Sequence, residues 1–241
     1  MRLAFLLLTR LPVGPIRGAA PGMAASSWAW PLTGLAVGAI AALAHATGLW
    51  FGLPPMMAAL LALTAGVLAT GGMHEDGLAD LADGFGGGRD RARKLEIMRD
   101  SRIGSYGVMA LILAFGFRMA GIVALTEAGP IIAALLGLSA ASRAVLPAAL
   151  ILMPPARTDG LGHAASGADP KPALIAAGIG FLCLLPLGLG IALAAALAMA
   201  LVATAVAALA LRQIGGQTGD VMGAMQLLAE CAGWAVLASL A

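Results

Sequence analysis

Apolar residues gather along this chain in long blocks separated by short polar connections. Residues 31–51, 54–72, 106–126, 130–153 and 221–241 are such blocks, each close to the roughly 20 apolar residues a helix needs to cross a bilayer. The block 173–211 is too long for one span at ~1.5 Å per residue and about right for two. Its natural break is Pro186-Leu-Gly-Leu-Gly190, where proline removes a backbone donor and glycine loosens the chain. The pattern predicts an all-α fold: a polytopic integral membrane helical bundle of about seven transmembrane helices, one domain over residues 1–241. The amino-terminal run MRLAFLLLTRLPVGP is short and interrupted by Thr9, Arg10 and Pro12. It predicts an interfacial helix beside the bundle rather than a cleaved secretory signal.

Composition points the same way. The chain is 61% hydrophobic and 11% charged, with a mean hydropathy of +0.95, whereas soluble domains are about a quarter charged. Cys183 and Cys231 fall in predicted spans, where thiols serve as small apolar packing groups. Two cysteines so placed build neither a disulfide framework nor a zinc site.

The cations then set an orientation. With the amino terminus inside, Arg2, Arg10, Arg17, Arg89, Arg91, Arg93, Lys94, Arg99, Arg102, Arg157, Lys171 and Arg212 all fall on the inner side, and the outer connections carry no Lys or Arg. That asymmetry predicts a multi-pass protein of the bacterial cytoplasmic (inner) membrane with its polar loops in the cytoplasm. The same inner loops hold the informative polar runs: residues 71–107, Pro155-Ala-Arg-Thr-Asp-Gly-Leu-Gly162 and Gly215-Gly-Gln-Thr-Gly-Asp220.

Within the first of these, Asp76, Asp80 and Asp83 stand at i, i+4 and i+7, so a helix sets three carboxylates on one face. Aligned anions repel unless a cation sits between them, and hard Mg²⁺ takes oxygen ligands beside phosphates. His74-Glu75-Asp76-Gly77 is not a zinc-protease motif, because no second histidine follows at i+4. His74 reads instead as an orienting group. Gly84-Phe-Gly-Gly-Gly88 lacks the Lys-Ser/Thr of a P-loop and reads as a helix stop. The arginines from Arg89 to Arg93 suit anionic lipid headgroups. Asp100-Ser-Arg-Ile-Gly-Ser-Tyr-Gly107 offers an arginine, two hydroxyls and two glycines, a composition suited to a phosphate. Arg118, Arg143 and Glu230 lie within predicted spans, each very roughly 15 Å from the inner ends at ~1.5 Å per residue. They are expected to face one another, as a structural ion pair or as substrate contacts.

These motifs resemble the cobalamin synthase (adenosylcobinamide-GDP ribazoletransferase) family over nearly the whole chain. The resemblance is carried by Leu8-Thr-Arg-Leu-Pro12, Pro31-Leu-Thr-Gly34, the run from Gly71 through His74-Glu-Asp-Gly-Leu-Ala-Asp-Leu-Ala-Asp-Gly84, and Glu96-Ile-Met-Arg-Asp-Ser-Arg-Ile-Gly-Ser-Tyr-Gly107. Ser142-Arg143, the stretch from Arg157 to Gly162, Gly215-Gly-Gln-Thr-Gly-Asp-Val-Met-Gly-Ala224 and Glu230 complete it. Thr33, Leu81 and Tyr106 depart from the family pattern, and none of them removes a carboxylate or an arginine.

The resemblance implies that α-ribazole 5′-phosphate, or α-ribazole, is joined to adenosylcobinamide-GDP with release of GMP, in a Mg²⁺-dependent step of nucleotide loop assembly in cobalamin biosynthesis. Asp76, Asp80, Asp83 and Asp220 are then the expected metal ligands, with those carboxylates and His74 as candidates for proton transfer. Arg102, Ser101, Arg143, Arg157, Thr218 and Gly216 are the expected substrate contacts. Membrane lipid is an expected partner, a homo-oligomer is left open, and no nucleic acid is expected. Two other readings stand beside this one. A CDP-alcohol phosphotransferase also places spaced aspartates on membrane helices, although its Asp-Gly-x-x-Ala-Arg signature is absent. A cation-coupled transporter expects acids near the bilayer midplane, whereas these lie at the end of a span.

Overall fold

The computed structural model describes residues 1–16, 18–19, 21–157 and 169–240. The apolar blocks become helices close to their expected bounds: α1 (Arg2–Leu8), α2 (Met23–Ser26), α3 (Trp30–Trp50), α4 (Pro55–Thr70), α5 (Met73–Gly87), α6 (Arg91–Ile97), α7 (Ser105–Ala128), α8 (Ile131–Ala144), α9 (Leu146–Leu152), α10 (Lys171–Leu184), α11 (Leu189–Ile214) and α12 (Gly219–Leu240). A single 3₁₀ turn, Ser27–Ala29, joins α2 to α3. Among the described residues the only β-type pairing is one parallel bridge, Pro155 with Gln217.

Among the described residues five helical segments are long and apolar enough to cross a membrane, and a sixth is counted if α4 and α5 form one bent span. The chain is thus a multi-pass membrane protein in keeping with the expected bundle of about seven helices, two of which, α4 and the α10 segment, are shorter than a full span. Two local breaks account for their length. Gly71 and Gly72 take φ of 73° and 72°, a left-handed conformation open to glycine at little cost, and α5 leaves α4 at 89°. Pro186 and Gly188, the latter at φ 96°, end the α10 segment at the expected place, leaving a shorter apolar helix, Lys171–Leu187. α5, with Glu75, Asp76, Asp80 and Asp83 in fifteen residues, is read as a helix set crosswise to α4 rather than as a span.

The helices divide by exposure. The α8–α9 segment and α12 are enclosed (78% and 72% of their apolar windows buried), whereas α7 and α11 bury only 28%. Leu193, Leu197 and Leu201 recur at four-residue spacing on α11 and are all more than half exposed, which is what a lipid-facing stripe requires. α1 turns Ala4 and Leu8 inward, as expected for a short helix laid against the bundle.

The loops that charge distribution groups on one side touch one another. Ala156 N donates to Gln217 O (2.9 Å) and Gln217 N to Pro154 O (2.8 Å). Arg91 Nη2 donates to Ala156 O (3.0 Å) and Arg157 Nη2 to Leu95 O (3.3 Å). Where α5 crosses α12, Gly77 and Gly223 meet: a Cβ on Gly77 would lie 2.9 Å from Asp220 O, and one on Gly223 3.3 Å from the Gly77 Cα. Gly77→Val should therefore force α5 away from α12, costing about 1–3 kcal/mol as over-packing does. The check is a lowered thermal midpoint in detergent, and an unchanged midpoint would show that the crossing has slack.

Candidate active site

α5 is two-sided, and each side has its own chemistry. The inward side carries Glu75, on one helical face with Leu78 and Ala79. Its Oε1 lies 3.0 Å from Arg118 Nη1 on α7, and Arg118 Nε lies 3.1 Å from Glu230 Oε1 on α12. Gln226 Nε2 donates to Glu230 Oε2 (2.8 Å) and to Ser142 Oγ (2.8 Å). Arg143 Nη1 donates to Ser139 O of its own helix (2.8 Å). His74, Glu75, Arg118, Arg143, Gln226 and Glu230 surround a cavity of about 20 Å³, and His74 Nε2, Glu75 Oε2 and Arg143 Nε face no protein partner there. A polar space of that size holds about one water molecule.

The outward side carries the carboxylate register. Asp76 is exposed, Asp80 half-buried and Asp83 buried. Through the Gly77–Gly223 crossing, Asp220 in the first turn of α12 joins them. Thr218 Oγ1 accepts from Val221 N (3.2 Å), which caps α12, and donates to Asp220 Oδ2 (3.2 Å). Arg157 Nη2 approaches the same Asp220 oxygen at 3.5 Å. Burial, then the carboxylates of Asp76, Asp220 and Asp83, push the Asp80 carboxyl up to about 7 against the opposing pull of Arg157. Crowded anions with too little counter-charge produce a shift of that sign.

The residues singled out from sequence thus separate. Asp76, Asp80, Asp220, Thr218 and Arg157 come together. Asp83 shares the register, but both its oxygens already accept backbone amides, Oδ2 from Gly104 (2.6 Å) and Oδ1 from Gly107 (2.9 Å). It therefore caps the start of α7, satisfying donors that the first turn leaves open. His74 (2% exposed) and Arg143 (2%) are buried against the inner cavity, and His74 also borders a groove lined by Gln217 and Gly219. Ser101 and Arg102 stand on an exposed loop. There Arg102 makes a fork to Asp100, with Nε 3.1 Å from Oδ1 and Nη2 2.8 Å from Oδ2, and that guanidinium holds the Asp100 carboxyl down at about 2. Gly216 serves the backbone bridge: a Cβ there would run into Pro154 O. Thr158 to Gly162 and Arg17 lie outside the described residues.

Comparison with known proteins decides which family has this arrangement. The family model described as cobalamin-5-phosphate synthase matches residues 1–238. The chain belongs to the cobalamin-5-phosphate synthase family. Curated relatives named adenosylcobinamide-GDP ribazoletransferase include one from Bradyrhizobium diazoefficiens, 49% identical over 95% of this chain and 89% of its own length. Another from Mesorhizobium japonicum is 49% identical over the same shares, and one from Sinorhizobium medicae is 42% identical over 99% of this chain and 93% of its own. No solved structure matches. As a member of the cobalamin-5-phosphate synthase family, the chain is a membrane transferase of cobalamin synthesis.

A divalent cation fits this cobalamin-5-phosphate synthase site by donor chemistry and by charge. Asp76, Asp80 and Asp220 offer hard carboxylate oxygens of the kind a divalent cation takes, and burial together with the neighbouring carboxylates raises the Asp80 carboxyl. Among the described residues no three His, Cys, Asp or Glu side chains converge to ligand distance, so water or substrate oxygens would complete any coordination.

Sequence reasoning passed over one residue that matters here, Glu75. The signal was its helical face: an acid at i with Leu78 at i+3 and Ala79 at i+4 faces inward and needs a cation. Arg118→Met leaves Glu75 and Glu230 buried without their guanidinium, so it should cost about 3–5 kcal/mol. Thermal unfolding in detergent reads this loss. The triple variant R118M/E75Q/E230Q should recover most of it, and equal losses in the two would deny the ion pairs their role.

Proposed function

We propose that this protein joins α-ribazole 5′-phosphate, or α-ribazole, to adenosylcobinamide-GDP, forming adenosylcobalamin 5′-phosphate, or adenosylcobalamin, and GMP. The observation that carries the reading is the gathering of Asp76, Asp80 and Asp220 with Arg157 at one helix crossing, in a chain whose relatives are named for this transfer. The ribazole 3′-hydroxyl oxygen forms a bond to the β-phosphorus, which carries the cobinamide arm, and the bond from that phosphorus to the bridging oxygen breaks as GMP leaves. Catalysis of such a step is mostly positioning and charge neutralisation. Asp76, Asp80 and Asp220 would hold Mg²⁺, which supplies charge neutralisation for the pyrophosphate. Arg157, already turned toward Asp220, adds a fixed positive charge on the same side. The hydroxyl proton passes to a carboxylate of this face, where Asp76, Asp80 and Asp220 gather beside Arg157.

The membrane is read as the bacterial inner membrane with this face toward the cytoplasm, in keeping with the inner-side clustering of Lys and Arg and with a nucleotide substrate. A bulky amphipathic corrin suits a site open at the bilayer surface.

Protein in nanodiscs, supplied with adenosylcobinamide-GDP, α-ribazole 5′-phosphate and Mg²⁺, should release GMP. Release of CMP from a CDP-alcohol in its place would favour a CDP-alcohol phosphotransferase, and ion flux in liposomes without transfer would favour a transporter. Asp76→Asn and Asp80→Asn should each lower turnover about 100-fold or more with membrane insertion intact. Near-normal Mg²⁺-dependent turnover in either would remove it from the ligand set.

The displacement of Asp80 to about 7 has a definite sign. Proton and cation compete for the carboxylate, so Mg²⁺ affinity should rise about tenfold per pH unit as pH climbs toward 7 and level off above it. The half-saturating Mg²⁺ concentration between pH 5.5 and 8.5 measures this, and a flat profile would contradict it.

A further inference from the structure

We propose that Arg10 binds a phosphate group of the substrate in the groove it shares with Asp76. The inference rests on the transferase reading above for the source of the phosphate, but its observations are separate. One hydrogen bond ties the Arg10 backbone to the end of α4, Arg10 N to Ala69 O (2.7 Å), and two brace the residues on either side of it, Thr9 Oγ1 to Phe5 O (2.7 Å) and Leu11 N to Thr9 Oγ1 (3.3 Å). The side chain lies over Gly71, where a Cβ would stand 2.6 Å from Arg10 Nε. Gly71 thus has two reasons to be glycine, its φ of +73° and the arginine laid across it.

From there the guanidinium shares with Asp76 and Ile103 an open groove of about 480 Å³. Its neighbours around the site are committed: Arg91 to Ala156 O, Arg157 to Leu95 O and Asp220, Arg102 to Asp100, and Arg118 to Glu75 and Glu230. Arg10 has no side-chain hydrogen bond or ion pair among the described residues. A planar five-donor fork with its backbone pinned and its head free is built for the oxygens of a phosphate. The plainer account is that it answers the negative end of α4. That role needs only a charge, so lysine would serve it as well.

The substrates of the proposed reaction offer two such groups, the 5′-phosphate of the ribazole substrate and the pyrophosphate of adenosylcobinamide-GDP. Full-length wild type, Arg10→Gln and Arg10→Lys in nanodiscs distinguish them. In R10Q the KM for the contacted substrate should rise about tenfold or more, with kcat changed far less and the thermal midpoint retained. A rise for α-ribazole 5′-phosphate but not for α-ribazole assigns the contact to the 5′-phosphate. A rise for adenosylcobinamide-GDP with either acceptor assigns it to the pyrophosphate. R10K should recover only part of the loss, whereas full recovery, or unchanged KM values in R10Q, would overturn the proposal. Binding of radiolabelled inorganic pyrophosphate gives a second readout independent of turnover. Weaker binding in R10Q with no wild-type transfer would sink the transferase reading and leave the Arg10 site standing. Equal pyrophosphate binding, together with unchanged KM values, would sink the site.

Discussion

The arrangement of this molecule depends on one buried guanidinium. Arg118 is 7% exposed and bridges Glu75 on α5 to Glu230 on α12. Removing charges from water costs several kcal/mol per ion unless they meet closely, so the three helices that bear them cannot drift apart or rotate freely. The constraint reaches the site through helix geometry alone. Successive residues of a helix stand about 100° apart, so pinning Glu75 inward turns Asp76 and Asp80 outward. A helix set crosswise to its predecessor, with charge on both sides, has a fixed orientation because one side is locked.

Close backbone approach does the rest. Gly77 and Gly223 let α5 and α12 touch, and this brings Asp220 beside Asp80 although 140 residues separate them in sequence. The bridge between Pro155 and Gln217 draws Arg157 to the same place, and Asp83 ties the start of α7 to α5 through two backbone amides. Small residues at these crossings are what membrane helices use where no hydrophobic force drives association. The consequence is chemical: carboxylates and an arginine from three distant segments share one face.

Much of the fold is legible in the chain because the bilayer imposes a length. Block boundaries predict α3, α7 and α12 to within a residue or two, and Pro186 and Gly188 mark their break correctly. All seven expected blocks become helices, and the two that fall short of a full span, α4 and the α10 segment, end at Gly71–Gly72 and at Pro186–Gly188. Within the site, periodicity places Asp76, Asp80 and Asp83 on one face but cannot say that Asp83 also caps the start of α7. Likewise Arg118, Arg143 and Glu230 face inward as their depth predicts, yet only Arg118 and Glu230 meet directly. Arg143 bonds within its own helix, a choice of rotamer and neighbour that spacing does not encode.

Read alone, the sequence determined a multi-pass helical membrane protein, a carboxylate face on a short polar helix and, through its motifs, the family. These follow from quantities local in the chain: apolar run length, helical period and motif spacing. The tertiary structure alone decided which acids share the face, that His74 and Arg143 are buried against the inner cavity, and that Arg10 comes to lie across Gly71 in the groove that Asp76 lines. Those outcomes depend on helix crossings and buried ion pairs between residues far apart in sequence, and no local pattern records which partner each charge will find.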